Sequence, residues 1–452
     1  MSVADSTLQI AVIGAGWAGC SAAVKLTQAG HTVCLLEASA HAGGRARRVD
    51  LQDYALDNGQ HILLGAYRDS LALMRELGLH PEQLFKRLPL QMIYPPATDG
   101  MHFLASGWPA PLHLLMALWR ARGLSREDKQ ALARFSTTAR WMNWQLHQDC
   151  SAEELLVRFE QTPRLTELMW NPLCVAALNT PPALASAQVF LNVLRDSLGA
   201  SRSASDMLLP VRDLGSLLPQ AAIDYLDSRA AEIRLSCPVR QIQKSDNGKW
   251  TLHTGAGSVC LADQVVIATD SKNAARLLNP LTGPEFRSIP DYDYAAITTI
   301  YLQYGPEIRL ERAMFALREL PERAHWGQFV FDRGQLHAEQ AGLLAVVISA
   351  PTKTLELTHE ELATQVALQL AESLQNPALQ QPVWFQIITE KRATYLCRPN
   401  LNRPDNRSTV PGIYLAGDYT AGDYPATLEA AVRSGIAAAH LLIADAKKRI
   451  RN

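Results

Sequence analysis

The chain has 452 residues, 48% of them hydrophobic and 19% charged, with a formal net charge of −1 at pH 7. That length allows two or three domains with a large core and excludes global disorder. The near-zero charge argues against any electrostatic nucleic-acid partner. The cysteines Cys20, Cys34, Cys150, Cys174, Cys237, Cys260 and Cys397 are scattered and include no C-x-x-C. They read as reduced thiols of a cytoplasmic protein, with neither a disulfide framework nor a metal site.

The first element begins within ten residues of Met1, so no cleavable signal peptide is expected, and no apolar run reaches membrane-spanning length. Gln9–Glu37 reads QIAVIGAGWAGCSAAVKLTQAGHTVCLLE. Ile10–Ile13 predicts a buried parallel strand, Trp17–Gln28 a helix and Thr32–Leu36 a second strand. Between strand and helix, Gly14-Ala15-Gly16-Trp17-Ala18-Gly19 matches G-x-G-x-x-G. Gly14 permits the tight turn, Gly16 admits a pyrophosphate to the backbone, and Gly19 lets helix and strand pack closely. Glu37 stands about 20 positions after Gly16, where a carboxylate can accept from ribose hydroxyls and repel a 2′-phosphate. Cys20 and Cys34 fall inside the helix and the second strand as small core residues.

Ser39–Arg48, SAHAGGRARR, follows. Gly43, Gly44 and Arg45 offer backbone amides and a guanidinium to a phosphate or a ring edge, or else form a solvated surface turn. Asp57–Gly65, DNGQHILLG, sets His61 beside apolar residues, as an acid or as a satisfied core histidine. Pro89–Arg122 is proline-rich and apolar, with Trp108, Leu112, Leu115 and Trp119 before Arg120 and Arg122. Its helix over Leu112–Arg122 has three readings: a tunnel wall, an interfacial membrane contact or plain core packing. Trp141 and Trp144 read as core. Pro163–Ser205 predicts short helices, with Asn171-Pro172 and Asn179-Thr180-Pro181-Pro182 as turns between them. Strands are expected from Met207 onward: Glu232–Val239, a meander turning at Asn247-Gly248, Gln264–Thr269, Ala296–Tyr304 and Leu343–Ser349. Gln386–Tyr395 is expected to lead back into the first domain. A second complete G-x-G-x-x-G is absent, so no separate nicotinamide domain is expected. Near the C-terminus, Asp423 and Tyr424 lie in a Gly-Asp-Tyr-Pro cluster that is also typical of a plain turn.

The glycine fingerprint, the run from Glu37 to Gly43-Gly44-Arg45, the DNGxH segment and Gly412–Gly435, GIYLAGDYTAGDYPATLEAAVRSG, together resemble the flavin-containing amine oxidase and phytoene desaturase superfamily. GGRARR, LDNGQHILLGAY and AGDYTAGDYPATLEAAVRSG are most similar in wording to its hydroxysqualene dehydroxylase (squalene-associated FAD-dependent desaturase) branch. The resemblance implies an α/β fold: a Rossmann-like FAD-binding domain with an inserted α+β substrate-binding domain, amine oxidase-like. The expected division is 1–88, 206–290 and 386–452 for FAD, and 89–205 and 291–385 for substrate. It further implies FAD held by Gly14, Gly16, Trp17, Ala18, Gly19, Glu37, Gly43, Gly44 and Arg45. Val239 would lie against the adenine, and Gly417, Asp418, Thr427 and Leu428 against the flavin. By motif position near the flavin the acid candidates are His61, Asp423 and Tyr424, and the resemblance itself fixes no catalytic residue. The implied partners are a hydrophobic polyprenoid substrate and an electron donor that the sequence does not identify; the apolar Pro89–Arg122 insert with its terminal arginines adds the expectation of a peripheral contact with the inner membrane.

Overall fold

The computed structural model describes residues 7–51, 54–255, 257–282, 289–351 and 353–451. The strand β1 (Gln9–Ile13), the helix α1 (Trp17–Gln28) and the strand β2 (Thr32–Leu36) form where the sequence places them. β1 is the middle of a five-stranded parallel sheet. β2 and then Glu232–Arg234 lie on one side of it, Gln264–Ile267 and then Ile413–Leu415 on the other. Both faces of β1 are covered: Ala11 and Ile13 join one apolar cluster, Ile10 and Val12 another. A strand buried on both faces needs an unbroken apolar run, which explains the absence of alternation in Ile10–Ile13. The C-terminal helix Leu428–Arg451 packs on α1 so closely that a Cβ on Gly435 would lie 2.1 Å from the Ala18 carbonyl oxygen.

A second five-stranded sheet comes from the middle of the chain, in the order Met314–Ala316, Phe329–Asp332, Leu343–Ser349, Tyr294–Gln303, Trp384–Tyr395. Here the period of two appears. Ile300, Leu302, Val330, Val346 and Ile348 pack on Leu362, Val366 and Leu370 of the helix His359–Ser373. Phe329, Phe331 and Val347 point the other way, into a cavity between this sheet and the nucleotide fold. The helices between Arg126 and Ser205 also line that cavity, through Leu173, Phe190 and Leu194.

Several expectations change. Trp384–Tyr395 pairs along its length with Tyr294–Gln303, so Gln386–Tyr395 belongs to the antiparallel sheet and the return to the nucleotide fold comes after it. Glu232–Val239 is not one strand: Glu232–Arg234 pairs with β2, Ser236 turns at φ +50°, and a new strand begins at Val239 in the meander. Asn171-Pro172 is not a turn. A π-helical stretch, Thr166–Trp170, runs straight into the helix Asn171–Leu178; Pro172 has no N–H to offer the Leu168 carbonyl four residues back, and the Tyr94 hydroxyl donates to that carbonyl instead at 2.9 Å. That helix does end at Asn179, in the left-handed region at φ 45°. Trp144 is core, whereas Trp141 is exposed at the end of the helix Arg126–Trp141. The seven cysteines are free, and Cys20 and Cys34 are buried.

Candidate functional site

The site grows from the turn after β1. Gly14 has φ +101°, and a Cβ there would lie 2.7 Å from the Ala268 carbonyl oxygen. Gly19 does not line the cavity; a Cβ on it would sit 1.8 Å from the Gly14 carbonyl oxygen, so its role is to bring α1 onto the turn. α1 starts with Gly16 as N-cap, without a capping side chain or an acid in its first turn. Its first N–H groups therefore face the cavity with positive partial charge and no internal partner. The second glycine turn docks alongside: the Gly43 N–H donates to the Ala15 carbonyl at 2.8 Å. Gly44, at φ +64°, leaves only 3.3 Å between its would-be Cβ and the Gly16 Cα. Two loops 27 positions apart thus form one bare backbone floor.

Glu37 closes this end. Its carboxylate accepts from the Ala15 N–H at 2.6 Å and the Ser39 N–H at 2.8 Å, and each oxygen retains acceptor capacity for a hydroxyl. Val239 lines the cavity nearby, with Arg240 and Arg276; Arg276 donates to the carbonyls of Val239 and Arg240. Arg47 and Arg240 also line it, and among the described residues neither is in an ion pair.

Toward the middle, Arg45 meets Asp418. Its Nη2 donates to both carboxylate oxygens at 2.7 Å, and its Nη1 donates to the Ala393 carbonyl. Burial works against the guanidinium charge, but the Asp418 carboxylate outweighs it and holds the Arg45 pKa above its ordinary value. Arg45 is therefore a clasp between the second glycine turn and the Gly417-Asp418 pair rather than a free phosphate ligand. Thr427 and Leu428 line the same region at the start of the C-terminal helix, whose N-terminus Thr427 caps through Oγ1 to the Ala430 N–H.

The three acid candidates separate. His61 lines the cavity, and its Nδ1 donates to the Gly59 carbonyl at 2.7 Å. A carbonyl can only accept, so in the neutral ring Nε2 carries no proton. Burial and the nearby Arg45 charge lower the His61 pKa, so the ring serves as an acceptor and not as an acid near neutrality. Asp423 is exposed, lies 3.6 Å from Arg195, and does not line the cavity. Tyr424 is buried behind the wall, and its hydroxyl donates to Asp196 at 3.0 Å. Burial and the Asp196 carboxylate raise its pKa, so this proton is held away from the cavity.

Sequence reasoning passed over Asn58 and Glu390. Both line the cavity where the glycine floor meets the apolar half; the Asn58 Nδ2 donates to the Arg45 carbonyl at 3.0 Å and to the Glu390 Oε2 at 3.2 Å. Asn58 lies inside the DNGxH segment, but Glu390 lies on a strand with no motif around it. The cavity measures about 800 Å³, and beyond this junction its walls are Leu90, Met92, Leu173, Phe190, Leu194, Phe329, Phe331 and Val347.

These residues fit a flavin dinucleotide. The two bare loops admit a pyrophosphate, the uncapped helix start and free arginines favour an anion, and Glu37 stands ready for a ribose. In addition, the indole Nε1 of Trp17, on the cavity wall, is a buried donor without a protein partner.

Comparison with known proteins follows the same lines. The model of the flavin containing amine oxidoreductases matches residues 17–443. Hydroxysqualene dehydroxylase of Rhodopseudomonas palustris is 28% identical, the match covering 96% of this chain and 98% of the relative. Zeta-carotene desaturase of Zea mays is 26% identical, covering 95% and 82%. Among solved structures, a redesigned putrescine oxidase superposes with a TM-score of 0.73 at 18% identity, covering 97% of this chain and 100% of that one. Cyclohexylamine oxidase of Brevibacterium oxydans gives 0.70 at 14%, covering 98% and 100%.

Proposed function

Since the chain belongs to the flavin containing amine oxidoreductases, we propose that this FAD-dependent oxidoreductase acts on a polyprenoid, by reductive dehydroxylation of hydroxysqualene to squalene. The observation that carries the substrate class is the apolar half of the cavity, continuous with the glycine floor and walled by leucines, phenylalanines and methionine. A small amine would leave most of that wall in water, whereas a hydrocarbon chain covers it. The reaction direction is supported by hydroxysqualene dehydroxylases at 28 and 29% identity over nearly the whole chain.

Replacing an allylic C–OH by C–H takes one proton and one hydride and releases water. Reduced flavin, when bound, supplies the hydride. The protein's part is to dry the site, orient the hydroxyl and deliver the proton. His61, neutral with Nε2 as acceptor, takes a hydrogen bond from the substrate hydroxyl and fixes its direction. Glu390, on the cavity wall with its Oε2 accepting from Asn58 and its Oε1 from the Arg392 N–H, is the carboxyl group placed to relay a proton from solvent to the hydroxyl oxygen so that water can leave. The apolar wall keeps bulk water from the allylic cation.

The test is to mix anaerobically reduced enzyme with hydroxysqualene. The oxidised flavin band should return and squalene should form. Glu390→Gln should retain its flavin but slow that return about 10²–10⁴-fold. Reduced enzyme that stays reduced, with oxidised enzyme bleaching on a carotenoid, would replace the dehydroxylase reading with a desaturase.

A further inference from the structure

The helix Leu112–Arg120 has an outer face without a protein partner. Leu112, Leu115 and Trp119 are 44, 54 and 72% exposed, and Trp108, just before the helix, is 54% exposed. Their spacing puts them on one side. The opposite side is fully buried at His113 and Ala117. His113 reaches Ser205, 3.4 Å away, and Ser205 lines the apolar half of the cavity. One short helix thus separates an exposed apolar face from the substrate space.

The charge around this face is predominantly positive. From Gly100 to Arg126 the chain contains three arginines and no acidic residue. Arg120, Arg122 and Arg126 are exposed, and so are Arg140 and Arg202, which lie near enough to His113 to lower its pKa. Among the described residues none of these five arginines is in an ion pair. Of the nearby acids, Asp128 is in the capping box of the next helix and Asp206 is paired with Arg87, which leaves the exposed Glu127, beside Arg126, as an acidic charge at the edge of the face. Trp141, beside Arg140, is 88% exposed.

We propose that this face docks on an anionic phospholipid surface: Trp108, Leu112, Leu115 and Trp119 dip into the headgroup–acyl boundary while the arginines meet lipid phosphates. Exposed leucines and tryptophans rimmed by cations match such an interface, and free arginines answer its charge. Among the described residues no helix is long and apolar enough to cross a membrane, so the contact is peripheral. The docked helix then stands between lipid and cavity, where a water-insoluble chain can pass without crossing solvent.

The test is sedimentation of the flavin-loaded protein with vesicles of phosphatidylcholine alone or mixed with phosphatidylglycerol. Binding should be more than about tenfold tighter to the anionic vesicles. Leu115→Gln with Trp119→Gln should weaken binding to both by roughly tenfold or more, with the flavin spectrum intact. Arg120→Gln with Arg122→Gln and Arg126→Gln should abolish only the preference for anionic lipid, and it tests the same face if the first variant folds poorly. Wild-type protein remaining in the supernatant would overturn the proposal. So would variants that bind like wild type, or a wild-type dimer that Leu115→Gln with Trp119→Gln dissolves, since a second copy would then cover the face.

Discussion

The two ends of the cavity are built on opposite principles. At the glycine end the wall is backbone: Gly14, Gly16, Gly43 and Gly44 leave no side chain between the main chain and its ligand. Their function depends on the absence of atoms: a Cβ on Gly14 or Gly43 would lie 2.7 or 2.9 Å from a main-chain oxygen and one on Gly44 3.3 Å from the Gly16 Cα, whereas one on Gly16 meets only ordinary contact in the protein and would instead fill the ligand's space. At the apolar end the wall is side chain from the middle sheet and from helices, and one hydrocarbon group can replace another. The first end is therefore intolerant and readable; the second is tolerant and nearly silent.

The contrast is tested most severely at Gly19. Gly19→Val places a Cβ where the Gly14 carbonyl oxygen lies, 1.8 Å away. It should cost more than about 4 kcal/mol and give colourless, poorly folded protein; a yellow, stable variant would show that the turn can open. Arg45→Met comes next, because it leaves Asp418 buried and unpaired. Since the arginine side is partly solvated, a loss of about 2–3 kcal/mol is expected in urea unfolding, mostly restored by adding Asp418→Asn. Failure of the second change to restore stability would mean that Arg45 acts outside its pair with Asp418.

Glu37→Ala removes two oxygens that bind backbone and face the ribose position. Flavin affinity should fall by the equivalent of about 1.5–3 kcal/mol, read by ultrafiltration, and Glu37→Asp should lose less. Unchanged affinity would detach Glu37 from the nucleotide.

His337, which does not line the cavity, tests through pH the packing beside Arg333. Burial, and then the nearby Arg333 charge, lower its pKa from 6.5 to about 4. The folded state thus prefers the neutral ring. Its contribution is complete above pH 6.5 and is lost as the pH falls through about 4, at most about 2–3 kcal/mol for this half-buried group. His337→Gln should flatten the acid limb of a melting-temperature profile in that window. The smallest effect belongs to the apolar wall: Ala177 lines the cavity one helical turn from Leu173, and Ala177→Phe should reduce turnover of a long polyprenoid roughly tenfold while leaving the flavin spectrum unchanged. Equal turnover would place the substrate elsewhere.

Local chemistry made part of this molecule legible. β1, α1 and β2, the glycine turns and Glu37 stand where spacing put them, because a phosphate-binding turn allows few residue types and acts within about 30 residues. The doubly buried sheet is likewise written in short runs of residue types. The docking of two glycine turns and the clasp of Arg45 on Asp418, 373 positions apart, depend on how the strands are ordered, which no single stretch encodes. Tertiary placement also separated the acid candidates. His61 reaches the cavity; Asp423 faces solvent; Tyr424 is turned onto Asp196 by the packing of the C-terminal helix against its neighbours. Glu390 carries no motif and gains its place from a register, the pairing of Ile297 with Glu390 across two strands that are far apart in the chain. Side-chain exposure is decided in the same way: Trp141 and Trp144 look alike in sequence, yet one is covered and the other meets solvent, because burial is a property of what packs against a residue and not of the residue itself.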